Sequence, residues 1–316
     1  MFDGILNVYK EQGYTSFDVV AKLRGILKQK KIGHTGTLDP MATGVLVICL
    51  GKATKLVDML IEGDKRYRTV MLLGYNTDTE DVTGVVTKRS DMSPEKSEIM
   101  NVLNSFVGCY NQIPPMYSAI KVDGKKLYEY AREGKTIERA PRQVEVYSIK
   151  NINIYNADIA DNCLNESFKG IGERQRICLE MEVHCSKGTY IRSLCRDIGE
   201  KLGCFATLMS LERVEAHGNI VEHSLKLDEI ETYYKSGTIG NYIQPLDSIL
   251  GEYDKAQIKE KYKSFLLNGN KLKETYFENV HFDRSRMIRV YLENEMKALY
   301  SYDEKENIFR PEKMFL

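Results

Sequence analysis

The sequence predicts an α+β fold in which a largely antiparallel or mixed sheet is flanked by helices, with a small β-rich unit appended at the C-terminus. Three observations carry that prediction. The stretch "RICLEMEVHC" (176–185) alternates apolar and polar residues at the period of a half-buried strand. Other stretches space their apolar residues as a helix does, and the two kinds intermix without a strict βαβ rhythm. From about Tyr253 the texture changes to short strands and turns ("MIRVYLEN", "KALYSYDEKENIFRPEKMF"), as in a small β-barrel. The expected division is a main domain over 1–250 and the β-rich unit over 251–316.

The elements follow in chain order. "TSFDVVAKLRGILKQKK" offers Ser16 as a helix N-cap and Val19, Val20, Leu23, Ile26 and Leu27 as an inward stripe. "SPEKSEIMNVLNSFVG" predicts a second helix, with Ser93 at the N-cap, Pro94 at the first helical position, Ile99, Leu103 and Phe106 inward, and Gly108 as the stop. Residues 156–176 are polar and aperiodic, a surface loop between two strands. In the strand 176–185, Ile177, Leu179, Met181, Val183 and Cys185 share the buried face. "GTYIRSLCRDIGEKLG" then predicts a helix with Ile191, Leu194, Cys195, Ile198 and Leu202 inward and Gly203 as its stop.

Composition narrows the function classes. The chain has 316 residues, 42% of them hydrophobic and 28% charged, and no apolar run approaches the ~18 residues of a membrane helix. Its start lacks the pattern of a signal peptide. Seven scattered cysteines without a CxxC pair suit neither a zinc site nor a disulfide framework, so reduced thiols, a cytoplasmic setting and no metal are expected. Net charge is zero, yet residues 19–68 hold ten Lys/Arg against four acids. Residues 121–142 hold seven against four, with Tyr128 and Tyr130 interleaved. Such clusters suit a phosphate backbone and unstacked bases; two solvated faces would read the same way.

One segment stands apart. "GHTGTLDPMATG" (33–44) frames a lone carboxylate, Asp39, between Gly33, Gly36 and Gly44, which permit turns closed to other residues. Pro40 biases Asp39 toward extended backbone, so that its side chain projects from a loop tip. Asp-Pro is equally a good N-cap and first position for a short helix "DPMATG". The glycine spacing fits neither common phosphate-loop motif. At this point capping and catalysis stand side by side.

"GHTGTLDPMATGVLVICLGKATKL" (33–56) resembles motif II of the TruB family of tRNA pseudouridine synthases. "KRYRTVMLLG" (65–74), "GYNTDTEDVTG" (74–84), "QIPPMYSAIKVDGKKLYEYAREG" (112–134), "CSKGTYIRSLCRDIGEKLG" (185–203) and "LERVEAHGNI" (211–220) continue the resemblance in order. The resemblance implies that uridine's glycosidic bond is broken, the base turned and rejoined through C5, without a cofactor, in the T-loop of tRNA. It implies Asp39 as the catalytic aspartate, either attacking the sugar or abstracting a sugar proton. A hydrolase would want two carboxylates around a water, and here water must be kept out. Tyr67 matches the tyrosine that stacks on the target base, Arg192 the arginine that pairs with the aspartate, and Tyr190 and Leu211 pocket-lining positions. His34 matches a histidine used when the nucleotide is flipped out. A core tyrosine, a solvated helix arginine, a core leucine and a loop-packing histidine are the plain structural alternatives. His184, His217, His223 and His281 are read as structural.

The C-terminal unit resembles the family's PUA-type RNA-binding domain; its candidates for phosphate contact are Lys271, Lys273, Arg284 and Arg286, with solvated surface beside nearby acids as the alternative. The expected protein is a monomer acting on the T-arm of tRNA with no membrane or protein partner. A guide-RNA-dependent synthase of the dyskerin type, a non-catalytic tRNA chaperone and an aspartate-nucleophile hydrolase are the alternatives.

Overall fold

The computed structural model describes residues 1–157, 168, 176–278 and 281–316. The central sheet is built from β1 (Gly4–Lys10), β2 (Ile32–His34), β3 (Thr43–Leu50), β4 (Lys65–Leu73), β5 (Gly108–Gln112), β6 (Arg142–Ala157), β7 (Arg176–Cys185), β8 (Ala206–Ala216), β9 (Asn219–Ile220) and β10 (Ile243–Gln244). Its order is β10–β1–β3–β8–β4–β7–β6–β5, with β2 beside β3 and β9 beside β8. Every pairing is antiparallel except β3 with β8, so the sheet is mixed. The sequence-distant β3 and β8 become neighbours because everything between them forms the crossover that a parallel pair requires.

β3 shows how burial shapes the sequence. "VLVICL" lacks alternation because both faces of this strand are covered. Leu46, Ile48 and Leu50 pack with α1 (Ser16–Ile26), whereas Val45, Val47 and Cys49 pack on the opposite face with Ala53, Val57 and Ile249. Toward the other end of the sheet, α2 (Lys96–Asn104) and α3 (Ile191–Lys201) cover the apolar face of β4, β7 and β8. α4 (Leu227–Lys235) joins α1 over β1.

The helix ends differ from expectation. Thr15, not Ser16, caps α1: its hydroxyl accepts from Asp18 N–H, and Asp18 reciprocates as a capping box. Ser16 is released for another task, since its Oγ accepts the Leu38 N–H at 2.9 Å and ties α1 to the segment before Asp39. α2 begins after Glu95, again in a capping box, so Ser93 and Pro94 lie ahead of it. It ends at Asn104, and Gly108 starts β5 instead of stopping the helix. Strand pairing takes in Asn156, Ala157 and Arg176, at the edges of the expected loop. Residues 158–167 and 169–175 lie outside the described residues, but Phe168 is buried edge-on against Tyr75 with ring centroids 5.4 Å apart. Phe168 is placed there because an aromatic ring among polar neighbours still seeks apolar cover.

β11 (Asp254–Gln257), β12 (Ile288–Leu292), β13 (Glu295–Asp303) and β14 (Ile308–Met314) form a second sheet in that order, around Phe277, Tyr300 and Phe309. Among the described residues this sheet is open: its edge strands β11 and β14 do not pair. Much of the chain between β11 and β12 folds into short helical turns at 260–267 and 274–276, which leaves too little strand to close a barrel. Leu56 and Leu250 of the larger part pack with Tyr291, Met296, Leu299 and Phe315, so one apolar cluster joins the two parts. Among the described residues no helix is long and apolar enough to cross a membrane.

Candidate active site

The segment 35–42 leaves β2 and re-enters the sheet at Thr43, the first residue of β3 and the start of its parallel contact with β8. Of its three framing glycines only Gly44 has a positive φ, +99°; a Cβ there would lie 2.3 Å from the Arg213 carbonyl oxygen. Asp39 caps no helix. Its carbonyl accepts the Ala42 N–H at 3.0 Å, closing a single turn around Pro40 and Met41. The side chain is thereby free for other partners.

Those partners come from α3. Arg192 Nη2 donates to Asp39 Oδ1 at 3.2 Å, and Nε lies 2.9 Å from Oδ2 without the alignment of a hydrogen bond. The guanidinium is itself fixed, with Nη1 donating to the Thr79 carbonyl at 2.9 Å and Nη2 to the Tyr117 carbonyl at 2.8 Å. Asp81 Oδ2 stands 3.9 Å from Nη1. The other oxygen of Asp81 accepts from the Thr79 hydroxyl at 2.8 Å and the Thr83 N–H at 2.9 Å. Burial pushes the Asp39 carboxyl above the usual carboxylate range, Arg192 pulls it back, and Asp81 adds to the push. The result is a carboxylate that is weakly solvated and held at a defined angle, as a nucleophile or base must be.

A cleft of about 610 Å³ opens over this pair. Asp39, Tyr67, Tyr190, Arg192 and Leu211 all line it, as the sequence predicts. Tyr67 comes from β4 and is nearly buried; burial pushes its phenol up, so it is neutral at pH 7. Tyr190, the residue before α3, is likewise raised by burial, and its backbone is pinned by Gln112 at 2.8 Å. Leu211 belongs to the buried cluster beneath α3 as well as to the cleft wall, so both readings of it hold. His34 is the exception. It sits half-buried on β2, outside the cleft lining, with Nδ1 accepting the Gly36 N–H at 3.4 Å. Burial and Arg213 hold its pKa down, which keeps the ring neutral.

Several residues of the site carry no local signal. Lys10 is fully buried and donates to the carbonyls of Tyr14 at 2.7 Å, Glu11 at 3.1 Å and Pro40 at 3.4 Å, bracing the Asp-Pro turn from behind. Arg213 lies under segment 35–42, donating through Nε to the Val45 carbonyl at 2.7 Å and through Nη2 to Gly36 at 3.2 Å. Glu80, at φ +65°, accepts from Ser193 at 2.6 Å and from Arg196, pegging the Thr79–Asp81 turn to α3. Glu80 and Asp81 fall in the block 74–84 and Arg213 in the block 211–220, but nothing in those stretches marks these roles. Among the described residues no group of His, Cys, Asp or Glu is arranged to hold a metal ion.

A cleft that sets the arginine-paired carboxylate of Asp39 among the rings of Tyr67 and Tyr190 is the site of an enzyme built for nucleophilic or general-base chemistry beside a flat substrate group. Comparison with known proteins agrees. The family model described as "TruB family pseudouridylate synthase (N terminal domain)" matches residues 24–191, and "tRNA pseudouridylate synthase B C-terminal domain" matches 192–251. The chain belongs to the TruB family of pseudouridylate synthases. It is 47% identical to tRNA pseudouridine synthase B of Lachnoclostridium phytofermentans over 99% of this chain and all of that protein. The same-named proteins of Clostridium perfringens strain SM101 and Limosilactobacillus reuteri are 42% and 40% identical, each over 99% of both chains. Among solved structures, one titled "Crystal Structure of a Cbf5-Nop10-Gar1 Complex" superposes with TM-score 0.68 at 26% identity, covering 99% of this chain and 85% of that one.

Proposed function

We propose that this protein is a tRNA pseudouridine synthase that isomerises the T-loop uridine of tRNA, with Asp39 as its catalytic group. The carrying observation is the Asp39–Arg192 pair at the floor of the cleft, Oδ2 to Nε at 2.9 Å, facing a lining that includes Tyr67 and Tyr190. The extruded uridine stacks on Tyr67 while Tyr190 and Leu211 enclose it and keep water away. Asp39 attacks C1′ or takes a sugar proton; either role needs the ionised carboxylate that Arg192 sustains. The N1–C1′ bond breaks, the uracil turns within the closed cleft, and C5 bonds to C1′. The proton on C5 then leaves to solvent and N1 takes one up, so no atom is gained or lost. His34, which neighbours segment 35–42, acts on the RNA around the extruded nucleotide and not on the base.

Residues 1–250 form the catalytic domain in this reading, and 251–316 a PUA-like RNA-binding unit. Near-full-length identity of 40–47% to proteins named tRNA pseudouridine synthase B supports tRNA as the substrate. In this reading the enzyme is cytoplasmic and works as a monomer without guide RNA or protein partner. The test is purified protein with a tRNA transcript tritiated at uridine C5. Wild type releases tritium unaided, and Asp39→Asn abolishes release while tRNA affinity stays within a few-fold. Turnover by that variant would overturn the assignment. Activity only after addition of a guide RNA would favour the dyskerin-type alternative.

A further inference from the structure

Two cations of the cleft are unlike the other basic residues of their strands. Along β4, Arg66 and Arg68 face away from the cleft, and Lys65 and Tyr67 face into it. Both outward arginines have carboxylate partners: Arg66 lies 2.9 Å from Glu215 and 3.9 Å from Glu182, and Arg68 lies 2.8 Å from Glu212. Lys65 and Arg213, the latter paired across from Tyr67 on β8, have no carboxylate partner among the described residues. Yet Lys65 is only 8% exposed and Arg213 2%.

What holds them is a set of neutral dipoles. Lys65 Nζ donates to the carbonyls of Ile61 at 2.9 Å and Gly63 at 2.5 Å, which leaves one N–H unspent. Arg213 is held by the carbonyls of Val45 and Gly36. Burial, with Arg213 nearby, brings the Lys65 amine down to about 8, and the neighbouring His217 down to about 4, where it is uncharged at pH 7. Asp39 does not supply the missing charge, because Arg192 takes both of its oxygens. Buried cations without a counter-ion are strongly unfavourable unless something binds them. The isomerisation adds a second requirement: once the base is detached and turning, the nucleotide must be held by something other than its base.

We propose that Lys65 and Arg213 form a phosphate subsite, which grips a phosphodiester group of the nucleotide drawn into the cleft and so holds its sugar over Asp39. The RNA backbone supplies the counter-charge that the protein omits. This subsite rests on the reading of the protein as an RNA-modifying synthase. Lysine serves as a point charge here, and the guanidinium locks the wall behind it.

The experiment compares wild type with Lys65→Gln and Lys65→Arg on tRNA, and on a T-arm hairpin carrying one methylphosphonate on either side of the target uridine. Glutamine keeps an N–H donor for the carbonyls and loses the charge. For Lys65→Gln, KM rises roughly tenfold or more, kcat changes far less, and the plot of log affinity against log salt loses roughly 0.7–0.9 from its slope. Lys65→Arg retains most of that slope. One of the two methylphosphonates weakens wild-type binding by a similar factor but costs Lys65→Gln nothing further, since the partner is already gone. An unchanged salt slope in folded Lys65→Gln, or losses that simply multiply, overturns the subsite. Should Lys65→Gln fail to fold, the wild-type hairpins decide: tight binding of both methylphosphonates overturns it too. Wild-type tritium release is read first and separately, so failure of the function and failure of the subsite give different results.

Discussion

Replacing Arg192 by methionine should move the acid limb of the pH–rate profile toward neutrality as well as slow the enzyme. Arg192 is the only basic side chain within ion-pair distance of Asp39 among the described residues, and it lies 2.9 Å from Oδ2. Removing one partner of a buried pair costs about 3–5 kcal/mol. Asp39 keeps 34% of its side chain exposed, however, so water screens part of that loss and about 2 kcal/mol is the better figure. Without Arg192, which holds it down, the Asp39 carboxyl should rise further. It already stands above the ordinary range, so the added rise carries its ionisation further toward neutral pH. In the proposed mechanism activity needs the ionised form, which is lost as pH falls through the folded-state pKa, and that loss should begin at higher pH in the variant. Misplacement of the carboxylate adds about 10²-fold at every pH. The assay is kcat/KM for tritium release between pH 5.5 and 9, with melting curves at each pH because the carbonyls of Thr79 and Tyr117 lose their donor. Arg192→Lys keeps the charge but not the fork, so its acid limb should move less while the pH-independent loss stays similar. An acid limb that does not move in folded Arg192→Met would refute the idea that this pair sets the ionisation of Asp39.

Lys10→Met should destabilise the protein by roughly 2–4 kcal/mol, since three carbonyl oxygens lose their donor, and should lower kcat through the displaced Asp-Pro turn. Burial brings the folded pKa of Lys10 down to about 8, below the ordinary 10.5, so its stabilising share grows as pH rises from 8 to 10.5. Denaturation of both proteins should show the penalty growing over that window, and a constant or shrinking difference would contradict the sign. Phe168→Ala should cost about 3 kcal/mol and lower Tm by about 6 °C or more, because the ring is buried against Tyr75. A short linker in place of 158–174 should do at least as much, and an unchanged Tm in either variant would show the contact to be worthless. Truncation after residue 250 should raise KM for tRNA with little change in kcat, because every proposed catalytic position lies between His34 and Leu211. Its salt slope should change by less than ~0.9, as Lys271, Arg284 and Arg286 are already paired with Glu306, Glu274 and Glu252. Its Tm should fall as Leu56 and Leu250 lose Tyr291, Leu299 and Phe315, and a collapse of kcat in a folded truncation would refute the division of labour.

What could be read from the sequence was what local periodicity encodes. β7 and α3 lie where alternation and helical spacing predict them, because each buries one face against one neighbour. Caps were harder. Thr15 and Ser16 are both good N-cap residues, and what separates them is a tertiary bond from Leu38 that claims the Ser16 hydroxyl. The C-terminal unit was expected to be a small β-barrel and forms an open four-stranded sheet among the described residues, since strand texture reveals strands but not whether the edge strands meet. Among the site residues, Asp39, Tyr67 and Arg192 could be found because they sit in recognisable blocks, although Asp39 and Arg192 are 153 positions apart and only the folded chain shows them touching.

Lys10 lies outside those blocks, and Arg213, although inside the block 211–220, shows no local sign of its role; the cause is physical. A lysine at the end of one strand and an arginine on another look like surface charge in any window of sequence. Their burial follows from sheet order: β8 packs between β3 and β4, which carries Arg213 under the segment that holds Asp39, and β1 beside β3 carries Lys10 behind Pro40. Both sites could have been filled by apolar side chains at lower desolvation cost. A chain that instead keeps Lys10, Lys65 and Arg213 around one carboxylate is organised for function over stability: the first and last position the Asp39 segment, and Lys65 leaves a positive charge for the substrate to meet. The zero net charge of the chain conceals this, since Glu182, Glu212 and Glu215 pair on the outward face of the sheet and Glu252, Glu274 and Glu306 on the C-terminal unit. Where charges fall relative to the sheet, and not their sum, is what makes this protein competent to hold a polyanion.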